Sequence, residues 1–153
     1  MLDTVRELTG AEPSAVAVDG CGAPIHAVPL RGLAHSFGRL AAATDGPEAK
    51  VATAIRDFPE YLGGTHRDVT ALIRGVDGVI AKDGAEAVYA VGLRDGRGIA
   101  LKVADGTSRA RSVLLAAVMR RIGVGSDEVL ETLERQPVLG HGQPVGAVVA
   151  VGV

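Results

Sequence analysis

The stretch GVIAKDGAEAVYAVGLRDGRGIALKV, Gly78 to Val103, decides the fold class. Val79 to Lys82, Ala87 to Leu93 and Ile99 to Val103 read as three strands, and Asp95-Gly96 is a tight-hairpin signal between the last two. Successive strands joined by short turns predict an antiparallel sheet. On either side the period becomes helical. Upstream, Leu30, Leu33, Ala34, Phe37, Leu40 and Ala41 share one face of a helix over Leu30 to Ala43, with Pro29 suited to its first turn. Pro47 to Phe58 and Arg67 to Arg74 predict two further helices, and Gly63-Gly64 between them supplies a turn or a close backbone approach. Downstream, Asp105-Gly106-Thr107-Ser108 reads as the cap of a helix from Arg109 to Ile122. Its Ala110, Val113, Leu114, Ala117, Val118 and Ile122 form a broad apolar face, widened by Leu115 and Met119. Ser126 reads as the cap of a short helix reaching Glu134, with Asp127 and Glu128 at the positive end of its dipole, and Val145 to Val151 as a terminal strand. At the start of the chain, Leu2 to Leu8 predicts a short helix stopped by Gly10. Ala15 to Val18 predicts a strand running into the turn Asp19-Gly20-Cys21-Gly22-Ala23-Pro24. Helices, then strands, then helices give an α+β fold, an antiparallel sheet with packed helices, as a single domain over residues 1–153.

Composition narrows the function classes. The chain is 47% hydrophobic with a formal net charge of -2, which argues against disorder, and its 16 basic residues are outnumbered by 18 acidic ones, which argues against nucleic-acid binding. No stretch approaches the roughly 20 apolar residues of a membrane helix, and Met1 to Gly10 lacks the pattern of a leader, so a cytoplasmic location and no membrane partner are expected. One cysteine makes neither an internal disulfide nor a multi-cysteine zinc site. With 21 glycines, two Phe, two Tyr and no Trp, the core is built from Ala, Val, Leu and Ile. Such side chains bury less area than aromatic rings, so a further packing surface from more chain or a partner is expected to help.

Four groups of residues bear on chemistry. Cys21, between glycines and two residues from Asp19, is either a thiol open to a ligand or metal or a small turn residue. Lys82, at a strand end beside Asp83 and Glu86, is either a base whose pKa burial lowers or an exposed lysine paired with one of those carboxylates. Asp105 to Arg109 is either a helix cap or an anion site at a helix N-terminus. His26, His35, His66 and His141 are scattered without metal-ligand spacing, and His66, beside Gly63-Gly64 and Arg67, lies nearest a loop that faces a ligand. Gly92 to Gly98 lies in a hairpin and lacks the strand-to-helix setting of a dinucleotide loop. None of the serines Ser14, Ser36, Ser108, Ser112 and Ser126 has Lys three residues later, so no Ser-x-x-Lys nucleophile pair is present.

Five blocks in one order carry a resemblance: Asp19 to Pro24, Val28 to Ala34, Gly63 to Asp68, Lys82 to Glu86 and Gly98 to Gly106. Together, from about Val18 to the end, they resemble the C-terminal half of the asparaginase II family, the rhizobial-type L-asparaginases. The resemblance implies a serine β-lactamase/glutaminase-like fold and hydrolysis of L-asparagine to L-aspartate and ammonia. It implies that Lys82 is the strand lysine facing the nucleophilic serine, and that Asp19 and Cys21 line the substrate pocket. It implies no required cofactor, with Cys21 a zinc ligand where that metal is bound. The sequence departs from the family at Ala87, where glycine is usual, and it lacks the Ser-x-x-Lys half. The resemblance therefore implies half an active site, inactive alone, with an N-terminal half on another chain or a second copy of this chain as its partner. The alternative is a non-catalytic ligand-binding or protein-interaction module derived from this fold.

Overall fold

The computed structural model describes residues 1–153. The element order is α1 (Leu2–Thr9), β1 (Ala15–Val18), β2 (Pro24–Ala27), α2 (Leu30–Ala42), α3 (Gly46–Asp57), α4 (Pro59–Gly63), α5 (Asp68–Gly75), β3 (Ile80–Asp83), β4 (Val88–Gly92), β5 (Gly98–Lys102), α6 (Arg111–Arg121), α7 (Asp127–Glu134), β6 (Pro137–Gly140) and β7 (Gln143–Ala147). It is the expected α+β arrangement. The central sheet runs β3-β4-β5, antiparallel throughout, with Lys82 opposite Ala90, Asp83 opposite Tyr89 and Val91 opposite Ile99. Asp95 sets the β4–β5 hairpin by accepting the Arg97 N–H at 3.0 Å, and Gly96 takes the positive φ of 89° that the turn requires.

Strand alternation divides the core into two layers. Val79, Ala81, Tyr89, Val91 and Leu93 face α5, α6 and α7, where they pack with Val69, Leu72, Leu115, Met119, Leu130 and Leu133. On the opposite face Ile80 packs with Ala41, Ala52, Phe37 and Leu40 of α2 and α3. This second layer is thin because glycines let the backbone of α2 lie on the sheet. A β-carbon on Gly92 or Gly98 would overlap the main-chain oxygens of Phe37 and Ala34, and one on Gly38 would overlap that of Gly96.

The same seam corrects the expected face of α2. Ala41 of that face is buried and Leu33, Ala34, Phe37 and Leu40 are half-buried, but Leu30 is 45% exposed and the small residues Gly32, Ser36 and Gly38 are the other buried ones, because backbone makes much of the contact. A similar correction holds for α6. Ser112, Val113, Leu115, Ala116 and Met119 are buried, whereas Leu114, Ala117 and Val118 are only half-buried and Ile122 is exposed. The expected caps differ too. Asp105 closes a turn of its own by accepting the Thr107 N–H and hydroxyl, both at 2.9 Å, and Ser108 opens a single 3-10 turn ahead of α6 with no capping bond from its side chain. Ser126 sits at the start of α7 and contributes only its carbonyl, to the Leu130 N–H.

Three elements were not foreseen: α4, β2 and β6. The strand β2 pairs antiparallel with β1, and β6 with β7, as separate two-stranded hairpins. The expected terminal strand is shorter and begins earlier, at Gln143–Ala147. Both hairpins pack mainly on themselves and expose Val16, Val18, Ile25, Val138, Leu139 and Val145. No helix is long and apolar enough to cross a membrane.

Candidate functional site

Lys82 is the last residue but one of β3, at the end where the strand meets the N-terminus of α6 and the loop before α5. These three segments enclose a polar cleft of about 710 Å³ lined by His66, Arg67, Asp68, Lys82, Asp83, Ser108, Arg109, Arg111 and Ser112, among others. At its centre is Asp83, whose side chain is 7% exposed. Its Oδ1 lies 3.0 Å from Lys82 Nζ, and its Oδ2 accepts Arg67 Nη2 at 2.5 Å and lies 2.8 Å from Arg111 Nη2. Arg111, equally buried, also donates to the Gly84 carbonyl at 3.2 Å and to Asp68 Oδ1 at 3.4 Å. One arginine thus joins the start of α6, the start of α5 and the turn after β3.

Burial pushes the Asp83 carboxyl up, but the Lys82 hydrogen bond and the charges of Lys82, Arg111 and Arg67 outweigh it and hold the group below the usual carboxylate range. Under the cleft lies Tyr89, fully buried, with the Arg111 guanidinium 5.7 Å from its ring centroid. Its hydroxyl has no hydrogen-bond partner in the chain, and burial, with the charges of Asp68 and Asp83, pushes its phenol far upward.

The environment of Lys82 differs from that of a buried base. Its side chain is 45% exposed, and Nζ donates to the main-chain oxygen of Asp83 at 2.6 Å as well as to the carboxylate. Of the two partners weighed from sequence, Asp83 is the one taken. Two of the three ammonium N–H groups are occupied, which leaves one donor on a group that lines the cleft.

Asp19 and Cys21 are placed elsewhere, in the turn of the β1–β2 hairpin. Asp19 Oδ1 accepts the Gly20 N–H at 2.7 Å, and the exposed Cys21 thiol lies 3.9 Å from Asp19 Oδ2. Neither residue is among those lining the Lys82 cleft. No group of three or more His, Cys, Asp and Glu comes together that could hold a metal, so Cys21 and Asp19 do not make a zinc site from this chain alone.

The cleft also contains residues that sequence reading passed over: Arg67, Asp68 and Arg111 as a charge network, and Ser108 and Ser112 as hydroxyls on its wall. Asp68 and Arg111 are 43 positions apart, and nothing local marks them as partners. His66, expected near a ligand-facing loop, does line the cleft.

Residues 1–150 match the family model of L-asparaginase II. The chain belongs to the asparaginase II family. The match covers the expected blocks and extends through α1 and β1 to residue 1, further than the resemblance from about Val18. Comparison with curated proteins finds no significant match. Within the asparaginase II family chain, Ala87 adopts a left-handed conformation with φ of 55°, so the departure from glycine falls on a position where the backbone itself favours glycine.

Proposed function

We propose that the chain forms one wall of an L-asparaginase site and takes part in hydrolysis of L-asparagine to L-aspartate and ammonia once a serine nucleophile reaches the Lys82 cleft from outside residues 1–153. The observation that carries this reading is the family match over residues 1–150, with Lys82 at a strand end in a polar cleft and no Ser-x-x-Lys in the sequence. Four side-chain cations, Lys82, Arg67, Arg109 and Arg111, face two carboxylates, Asp68 and Asp83, so the cleft favours an anionic group such as the substrate's carboxylate.

In the proposed reaction the serine Oγ attacks the side-chain amide carbon, the C–N bond breaks with a proton delivered to the leaving ammonia, and water hydrolyses the resulting ester. The proton that the serine Oγ gives up as it attacks is relayed by way of Lys82 to the leaving nitrogen, and backbone N–H groups serve the oxyanion. Cys21 and Asp19 join the pocket if the incoming segment bridges the hairpin and the cleft, and zinc on Cys21 would draw its other ligands from that segment.

A non-catalytic binding module is the second reading. It is favoured by the cleft's own serines, Ser108 and Ser112, which have no lysine at the required spacing, and by an Lys82 already engaged with Asp83. Ammonia release from L-asparagine by the purified chain decides between them, with and without a Ser-x-x-Lys segment of a family member and with zinc added or removed. The expected result is no release alone, rescue by the added segment, and a loss of about 10²-fold or more in Lys82→Ala. Release by the chain alone would overturn the requirement for an outside nucleophile. Tight binding of L-aspartate with no rescue would favour the module.

A further inference from the structure

Asp83 holds more cations than an ion pair of the fold requires. Its Oδ1 takes Lys82 Nζ at 3.0 Å, and its Oδ2 takes Arg67 Nη2 at 2.5 Å with Arg111 Nη2 at 2.8 Å. The three cations come from β3, the loop before α5 and the start of α6, and they converge on one enclosed carboxylate. Arg111 is enclosed with it, whereas Lys82 and Arg67 are partly exposed and line the open cleft. A place built to hold an anion is thus already filled, and the anion is the chain's own.

The hydrogen-bonding capacity of that anion decides what else can approach. A carboxylate offers about four lone-pair sites. Three are taken here, which leaves one acceptor site on a residue that lines the cleft. A primary amide suits it, because its nitrogen brings two donors and no charge. A second carboxylate brings only acceptors and a like charge, and like charges juxtaposed away from water are strongly disfavoured. Burial acts to neutralise Asp83, but Lys82, Arg111 and Arg67 hold its carboxyl below the usual range, so the charge is present at neutral pH. The remaining cation of the cleft, Arg109, meets a carboxylate only at 3.7 Å, that of Asp105. Positive charge is therefore left over at the Arg109 end and largely cancelled at the Lys82 end.

We propose that Asp83 is a specificity-determining residue: as a resident anion between Lys82, Arg67 and Arg111, it admits an uncharged primary amide beside Lys82 and turns a carboxylate away. The amide N–H donates to the open acceptor site of Asp83, and the ligand's own carboxylate is left to the Arg109 end. Hydrolysis of the amide creates a carboxylate at the place that rejects one, so the acid product is expelled. That the amide is L-asparagine rests on the asparaginase reading; the exclusion of a second anion rests on the charge arrangement alone.

Ligand titration of the whole chain by NMR, at ionic strength fixed with sodium chloride, tests this without reading activity. The probes are L-asparagine, L-aspartate and inorganic phosphate. The native chain is expected to bind L-asparagine about tenfold or more tighter than L-aspartate. In Asp83→Asn, L-aspartate and phosphate should each gain about tenfold or more, while L-asparagine changes by less than about threefold. Phosphate near saturation should also raise the melting temperature of the variant by about 3 °C or more and leave that of the native chain unchanged, because it fills the place the variant has emptied. Asp83→Ser, smaller and uncharged, gives the same comparison if the asparagine variant fails to fold. Equal binding of the two amino acids by the native chain, or no gain for either anion in a folded variant, would overturn the proposal. A gain for phosphate with neither amino acid bound would support the resident anion and overturn the asparaginase reading instead.

Discussion

Arg111 Nη2 stands 2.8 Å from Asp83 Oδ2, and both side chains are less than a tenth exposed. The pair links the first turn of α6 to the end of β3, the strand that carries Lys82. Removing one member of a buried pair leaves the other without its counter-charge, which costs about 3–5 kcal/mol where no other partner exists. Arg67 and Lys82 also reach Asp83, so Arg111→Met is expected to destabilise by about 3 kcal/mol, at the low end. Urea unfolding followed by circular dichroism measures it, and a loss below about 1 kcal/mol would show that Arg67 and Lys82 carry the carboxylate unaided.

Acid should weaken the same network. The carboxyl of Asp83 is held below its ordinary value in the folded chain, so the unfolded state binds the proton more readily. Its contribution is present above the unfolded value of about 3.9 and is lost as pH falls through the lower folded value. Stability measured between pH 6 and pH 3 should therefore decline, and Asp83→Asn should flatten the decline while lowering stability at neutral pH. A decline of equal slope in the variant would place its source elsewhere.

Close approach of α2 to the sheet makes a sharp demand at one position. Gly98→Ala puts a β-carbon into the main-chain oxygen of Ala34, and the helix must lift. Overpacking costs about 1–3 kcal/mol and sometimes more, and a backbone obstacle belongs at the upper end. Gly20→Ala, in open space on the hairpin turn, is the matched control, expected within about 0.5 kcal/mol of the parent. Equal melting temperatures for the two variants would refute the account of the seam.

At position 87 the opposite substitution should help. Ala87 is buried with φ of 55°, and its carbonyl accepts the Val103 N–H at 3.1 Å, so it cannot relax without giving up a bond in the sheet. Left-handed backbone costs an L-residue about 1–2 kcal/mol. Glycine avoids that cost but adds freedom to the unfolded chain, so Ala87→Gly is expected to stabilise by up to about 1 kcal/mol. A lower melting temperature would mean that the buried methyl contributes more than the strain it imposes.

Much of this architecture was legible from local chemistry. The β4–β5 hairpin follows from Asp95-Gly96 between β-branched runs, and α2 and α3 follow from the 3.6-residue period. The buried face of α2 was less legible, because periodicity counts large side chains, whereas Gly38 and the helix backbone lie on the sheet and Gly32 lies on Thr9 of α1. The strands β2 and β6 escaped because each is four residues long, begins with proline and is largely exposed, so no alternation marks it. At the site, Lys82 stood out by its strand end and glycine turn. Arg67, Asp68 and Arg111 did not, since only folding brings the start of α5 beside the start of α6.

The absence of tryptophan gives the position of Tyr89 an optical consequence. The chain has two tyrosines, of which Tyr61 is 91% exposed and Tyr89 fully enclosed beneath Arg111. Dichroism in the tyrosine band and tyrosine emission therefore come from one solvated ring and one ring buried beneath the cleft. With Tyr61→Phe the signal belongs to Tyr89 alone, and any molecule that settles over Lys82 and displaces Arg111 changes the spectrum of the native chain with no dye attached.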